Sequence, residues 1–385
     1  MTKSVYITSY AQSNPKLDLQ VEMKTGPVAS GRRRIQGPTT VRIPPGASEL
    51  TISVPSGDHW DLWFKPPFPR QISAQLPAIP HGPLGWWHDL HRVNPGAGTS
   101  VRVGVIDEAL PHQPPSHPLS NIDNKGDIAW DLRSASTSTR AYLSLGGDHS
   151  HVVCSILAAN AQAPGYAGVV PKAHVLFCAA GSDQDEELEE ARVVNSIDWL
   201  SENANCDLIS VSAGDVDEPV PSIQAAVDEA FRRGTLCFFA SGNCGGAPKY
   251  PARYPECLAV AALGDDTKSP HDTWDAHEAA LSGIRTGGSL YVWRGSATGP
   301  QVEFLGAGMS LFFSDPSGRN MWAAGTSFAA PIVVGVAAHI LGRDSTYCSM
   351  PRDARRANYA LTVLQSSCFN DPTLQAGSQY GLLMA

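Results

Sequence analysis

No two of the eight cysteines stand in a CxxC pair, which leaves neither the ligand spacing of a structural zinc site nor a regular disulfide framework. Cys178 and Cys237 fall inside apolar runs, where a free thiol behaves as a small hydrophobe. Cys348 and Cys368 near the end are in a position to pair, but a reducing compartment disfavours it. No continuous stretch of about 18 apolar residues is present, so no bilayer span is expected. The opening "MTKSVYITSYAQSNPKLDLQ" has no secretory apolar core, and a cytoplasmic protein is expected. Positive charge is also scarce, with 28 Lys and Arg against 37 Asp and Glu and a net charge of −9. That balance argues against a nucleic-acid partner. No acidic loop has calcium-ligand spacing, so no metal site is expected.

The 385 residues are 42% hydrophobic and 17% charged, enough for one large globular domain and a smaller one. Residues 1–66 hold short alternating stretches ("SVYITSY", "TTVRIPP", "ELTISVP") broken by Pro, Gly and Ser, which predicts a small β-rich module. The "RRR" at 32–34 reads as an exposed basic turn. Residues 67–95 form a Pro-rich linker and lead-in to the rest, stiff by composition. The first 95 residues carry 10 basic against 6 acidic groups, a net +4, and the remainder 18 against 31, a net −13. Opposite signs favour docking of the first part on the second, or on a regulatory partner. From 96 to 385, apolar β-branched runs alternate with amphipathic stretches: "VRVGVID", "HVVCSILAAN", "AHVLFCAA", "CDLISVSAG", "IQAAVDEAFRRG", "TLCFFASGN". This rhythm predicts an α/β domain with a mostly parallel sheet flanked by helices. Such sheets collect functional groups at the carboxyl ends of their strands.

Four polar residues sit at such ends. Asp107 stops the run "VRVGVID"; His149 begins an apolar stretch of helical length; Asn243 follows "TLCFFASG"; Ser327 opens "FAAPIVVGVAAHIL". Pro331 near the first turn of that helix costs little, because amides there lack an intrahelical acceptor. Each residue alone is an ordinary turn former or cap. Together the types complement one another: a hydroxyl becomes a nucleophile when an imidazole takes its proton, and a carboxylate holds that imidazole in one tautomer. A carboxamide and a helix-terminal N–H then supply oxyanion donors. The small residues around Ser327 let a substrate backbone approach.

The order Asp, His, Ser, the block "GTSFAAP", "SGN" before glycine, "GVVPKAHV" at 168–175, "SVSAG" at 210–214 and the closing "YGLLMA" resemble the subtilisin-like serine proteases, the subtilases, over about residues 96–385. The resemblance implies the subtilisin-like three-layer fold and a serine endopeptidase acting on extended polypeptides without a cofactor; structural calcium is common in the family. It also implies Ser327 as nucleophile, His149 as base and then acid, Asp107 as orienting carboxylate and Asn243 as oxyanion donor. Ser212, Ala213, Gly214, Ala240, Ser241 and Gly242 would line the substrate cleft. Asp215, Asp217 and Glu218 follow one cleft segment and could attract a basic side chain. The segment 265–294 looks longer than the family core needs and reads as a flap or docking surface.

The departures from the family pattern are equally specific. Glu108 and Ala109 stand where Thr or Ser and then Gly usually follow the aspartate, and the histidine block reads His149, Ser150, His151 instead of His-Gly-Thr. A rival alignment takes His151 as the family histidine and leaves Asp148 in the catalytic place. With residues 1–66 expected as a regulatory or partner-docking module, the sequence points to a cytoplasmic endopeptidase held latent until triggered. An inactive pseudoprotease used as a protein-binding scaffold is the alternative.

Overall fold

The computed structural model describes residues 3–9, 19–25, 28–35, 39–43, 49–53, 60–64, 85–110, 119–126, 148–160, 167–181, 188–212, 216–269, 274–314, 320–369 and 371–385. Six strands lie in the first part: β1 (Lys3–Ser9), β2 (Leu19–Thr25), β3 (Val28–Ile35), β4 (Thr39–Ile43), β5 (Glu49–Ser53) and β6 (Trp60–Phe64). β2 pairs with β3 and β5, and β1 pairs with β4 and β6, all antiparallel.

The main body is built on β7 (Arg102–Asp107), β8 (Ile122–Gly126), β9 (His174–Ala179), β10 (Leu208–Val211), β11 (Leu236–Ala240), β12 (Cys257–Asp265), β13 (Leu290–Val292), β14 (Phe304–Ala307), β15 (Leu311–Ser314), β16 (Asn320–Ala324), β17 (Cys368–Phe369) and β18 (Gly381–Leu383). The order across the central sheet is β17-β18-β14-β12-β11-β10-β7-β9-β8, with β13 paired to β12. Every neighbour pair from β8 to β18 runs parallel; β13 and β17 are the antiparallel additions.

Strand alternation divides the apolar residues between two cores. Val103 and Val105 of β7 enter one, with Phe177, Phe238, Phe304 and the helices Asp148–Ala158, Thr326–Arg343 and Ala354–Ser366. Ile106 enters the other, with Ile209, Val211, Phe239 and the helices Glu190–Asp198 and Pro221–Arg232. The period of two along a pleated strand is what sends neighbours to opposite faces. Gly104 belongs to the second face, where a Cβ would stand 2.8 Å from Leu200 Cδ1, so any side chain there would have to displace Leu200. The Pro221–Arg232 helix buries Ile223, Ala226, Val227 and Ala230, the spacing of one helical stripe, and begins on Pro221, where a missing N–H is tolerated.

The Thr326–Arg343 helix corrects the expectation that no segment could span a bilayer. It is 18 residues long and, among the described residues, the one helix apolar enough to do so. The run escapes a search for continuous apolar sequence because Thr326, Ser327, Gly335, His339 and Gly342 interrupt it. It lies against the sheet and the Asp148–Ala158 helix with 83% of its span buried, the position of a core helix.

The lead-in from residue 85 packs into the same body. Trp87 is fully buried in the first core. His91 accepts a hydrogen bond at Nε2 from Ala307 N (3.1 Å), so its Nδ1 carries the proton donated to Leu383 O (2.6 Å). Complete burial holds this imidazole down to about 4, neutral at physiological pH. All eight cysteines are free thiols. Burial pushes Cys178 and Cys237 strongly upward, so both are inert apolar side chains.

Candidate active site

β7 lies inside the sheet between β9 and β10, and its last residue, Asp107, emerges at the carboxyl edge. His149 is the second residue of the Asp148–Ala158 helix. Its Nδ1 lies 3.0 Å from Asp107 Oδ1. An ionised carboxylate only accepts, so Nδ1 is the donor; the neutral ring therefore presents a lone pair at Nε2. Asp107 takes His149, not His151, which sits nearby and buried.

The His149 ring packs on Phe328, centroid to centroid 5.2 Å, and Phe328 is the residue after Ser327. That contact sets the start of the Thr326–Arg343 helix beside the imidazole. Gly325 precedes the helix with φ +144°, a conformation that side chains avoid. Ser212, just past the end of β10, donates from Oγ to Ser327 O at 2.8 Å. The nucleophile candidate is thus fixed by its main chain.

Asn243 follows β11. Its Oδ1 accepts from Thr326 N (2.9 Å) and from Thr326 Oγ1 (2.7 Å), while Thr326 Oγ1 accepts from Gly242 N (3.3 Å). A backbone N–H can only donate, so the oxygen of the amide must face Thr326 and the NH₂ must turn the other way. The Ser327 N–H belongs to a first helical turn, whose amides point along the axis toward negative charge. Nothing in the sequence pattern indicates that Thr326 orients the carboxamide; the relation spans 83 positions.

Ser150 is the second residue that sequence reasoning leaves unassigned. Its Oγ donates to Asp107 Oδ1 at 2.8 Å and accepts from Ala109 N at 3.2 Å. Glu108 N donates to the same oxygen at 2.8 Å. With His149, three donors converge on Oδ1. The hydroxyl that the family usually carries beside its aspartate is absent at Glu108, and Ser150 supplies one from the helix. A hydrogen bond to a charged group contributes about 1.5–3 kcal/mol. Ser150→Gly is therefore expected to lower kcat by roughly tenfold or more with KM little changed, and Ser150→Thr to recover most of it; steady-state kinetics on a fluorogenic peptide decide. Equal kcat in Ser150→Gly and the parent chain would remove the role.

The cleft residues divide. Ala240 ends β11, and Ser241 and Gly242 follow it, all buried; Ser241 Oγ donates inward to Ala297 O at 3.0 Å. Ala213, Gly214 and Asp215 lie outside the described residues. Asp217 pairs with Lys249 Nζ at 3.2 Å and is exposed, and Glu218 is exposed beside it. In the segment 265–294, Glu278 is buried and anchors Arg294 through two bonds (2.9 and 2.7 Å) and Trp293 Nε1 (2.8 Å), which ties the segment to the body.

Glu108 lies beside Asp107 and His149. It is 6% exposed, and one of its carboxylate oxygens, one of Asp107 and one ring nitrogen of His149 all lie within 4.8 Å of one another. Behind them Cys154 is buried, its thiol pushed well up by desolvation and then by the Asp107 charge.

A profile described as the Subtilase family matches residues 98–363. Subtilisin NAT of Bacillus subtilis subsp. natto is 27% identical over 255 residues, 65% of this chain and 58% of its own length. The thermostable alkaline protease of Halalkalibacterium halodurans is 29% identical over 282 residues, 73% of this chain and 67% of that protein. The subtilisin of Bacillus pumilus is 27% identical, covering 71% of this chain and 87% of the relative. The chain thus spans between about half and nine tenths of the length of these relatives. Among solved structures, sphericase superposes with a TM-score of 0.56 at 20% identity, covering 77% of this chain and 93% of its own. The prenylagaramide maturation protease PagA gives 0.51 at 22% identity, covering 74% and 92%. These last two establish the fold, and the profile, spanning more than half of the sequence, establishes that the chain belongs to the subtilase family.

Proposed function

We propose that the chain is a serine endopeptidase that cleaves extended polypeptides through an acyl-enzyme on Ser327. The observation that carries this reading is the 3.0 Å bond from His149 Nδ1 to Asp107, because it leaves the lone pair at Nε2 on a ring that packs against Phe328, the neighbour of Ser327. In the reaction Nε2 takes the Ser327 hydroxyl proton as Oγ attacks the carbonyl carbon. The oxyanion is met by the Asn243 NH₂ and the Ser327 N–H. The imidazolium, stabilised by Asp107, then gives the proton to the leaving amine, and water repeats the sequence to release the acid. The cleft roles of Ser212, Ala213, Gly214, Ala240, Ser241 and Gly242 rest on the family analogy, with peptide backbone pairing as an added strand.

The reading extends to a restrained enzyme in the cytoplasm. Two features support restraint: His149 is 1% and Ser327 3% exposed, so little of either side chain is open to solvent. β6 also pairs with β16 through Trp63 with Ala323 and Leu62 with Ala324, four and three positions before Ser327. Residues 1–66 would then act as a regulatory element on the strand that leads into the helix.

A fluorophosphonate probe tests both levels. Labelling at Ser327, read by mass spectrometry and absent in His149→Ala, supports the enzyme; a full chain that stays unlabelled with and without cell extract points to a pseudoprotease scaffold. The labelling rate of a chain lacking residues 1–66 is expected to differ from that of the full chain by about tenfold or more, the span of a coupling free energy of 1–3 kcal/mol. Identical rates would remove the regulatory role.

A further inference from the structure

We infer that Asp107, Glu108 and His149, whose donor atoms lie within 4.8 Å of one another at the buried end of β7, form a site for a zinc-class divalent cation that reversibly switches the triad off. The inference deepens the endopeptidase reading and rests on it.

One imidazole and two carboxylates are a donor set that zinc accepts, at bond lengths of about 2.1 Å. Tetrahedral geometry then requires donors roughly 3.4 Å apart. His149 Nδ1 stands 3.0 Å from Asp107 Oδ1, and the Glu108 donor lies within 4.8 Å of those of the other two residues, so the side chains must draw inward to close the set. A second observation points the same way. Asp107 is 1% exposed, yet its Oδ2 has no hydrogen-bond partner among the described residues, while Oδ1 carries three. A buried carboxylate oxygen without a donor is costly unless a cation serves it. Glu108 places a second carboxyl group in the same low-dielectric volume, where a dication would favour the ionised form of both.

The chemical consequence is specific. A metal ion on Nδ1 requires that nitrogen to be deprotonated, so the Nδ1 proton is released. A neutral ring then keeps its one proton on Nε2. Toward Ser327 the imidazole becomes a donor instead of an acceptor, and the hydroxyl has no base. The fourth coordination position is left for water, as in open zinc sites. Removal of the ion restores the Nδ1–H tautomer held by Asp107.

The test titrates zinc chloride into the full chain while following hydrolysis of a fluorogenic peptide, then adds EDTA. Turnover is expected to fall with zinc and return with the chelator. Glu108→Gln should raise the half-inhibiting zinc concentration by roughly tenfold or more, and Glu108→Ser, the residue type the family often carries here, should do the same. Calorimetry on Ser327→Ala, which needs no turnover, should find a zinc site that the added Glu108→Gln substitution weakens by a similar factor. Half-inhibition in both Glu108 variants equal to that of the parent chain, as zinc held at exposed Cys348 would give, overturns the proposal. So does hydrolysis indifferent to zinc. A chain that binds zinc through Glu108 but hydrolyses nothing keeps the site and removes the protease reading.

Discussion

Ser327→Ala is expected to lose about a millionfold in kcat on a fluorogenic peptide, His149→Ala nearly as much, and the double variant no more than the worse of the two. The magnitude is the one established for this triad in subtilisin itself; the non-additivity is what the geometry of this chain supports. His149 Nδ1 is held by Asp107, and the ring packs on Phe328, the neighbour of Ser327, so in the proposed mechanism nucleophile and base are parts of one proton path. Removing either end breaks the path. Both variants should retain residual hydrolysis of about 10³–10⁴ over the uncatalysed rate, because substrate binding and the oxyanion donors survive. Additive losses would mean that the two side chains act in separate steps, and the proton relay from Ser327 to His149 would have to be abandoned. Active-site titration fixes the enzyme concentration, and circular dichroism melts show whether each variant is folded.

The parts of this site that stand at strand and helix ends are open to sequence reading. Asp107 closes a β-branched run, Ser327 opens a helix between small residues, and Asn243 follows Gly242 after another apolar strand. Periodicity locates such boundaries because the pleat and the helix have fixed repeats. The two-sided burial of the parallel sheet is legible for the same reason. Relations across the fold are not. Ser150 and Asp107 are 43 positions apart, Thr326 and Asn243 are 83, and neither pair shares an element. Whether Glu108 turns to the triad or to solvent depends on the backbone direction at a strand end, where alternation stops constraining the side chain. The expectation of no metal site comes from loop spacing, and the site proposed above would instead draw its donors from a strand end and a helix 41 residues later. Asp217 and Glu218 can be read as acidic, but the pairing of Asp217 with Lys249 cannot, since that partner lies on another loop.

Asn243 provides the second large effect and a way to separate two roles that one residue combines. Its Oδ1 binds the N–H and the hydroxyl of Thr326 and so helps fix the turn that presents Ser327. Its NH₂, turned away by those bonds, is the proposed oxyanion donor. Asn243→Ala removes both and is expected to cost about 10²–10³ in kcat with little change in KM, the range established for an oxyanion carboxamide in subtilisin. That result alone does not distinguish lost catalysis from a loosened turn. Asn243→Asp does, because aspartate is nearly isosteric and keeps an acceptor oxygen for Thr326. If orientation of the turn were the whole role, Asn243→Asp would retain most of its activity. If the NH₂ meets the oxyanion, the new carboxylate sets a negative charge where negative charge develops. Water excluded from the site screens it weakly, so kcat should then fall at least as far as in Asn243→Ala. Thr326→Val completes the comparison: it deletes the hydroxyl donor, keeps the N–H, and should lose roughly tenfold through a less firmly held amide. The order Thr326→Val above Asn243→Ala, with Asn243→Asp at or below it, is what a donor role requires, and a near-active Asn243→Asp would assign the residue to the turn alone.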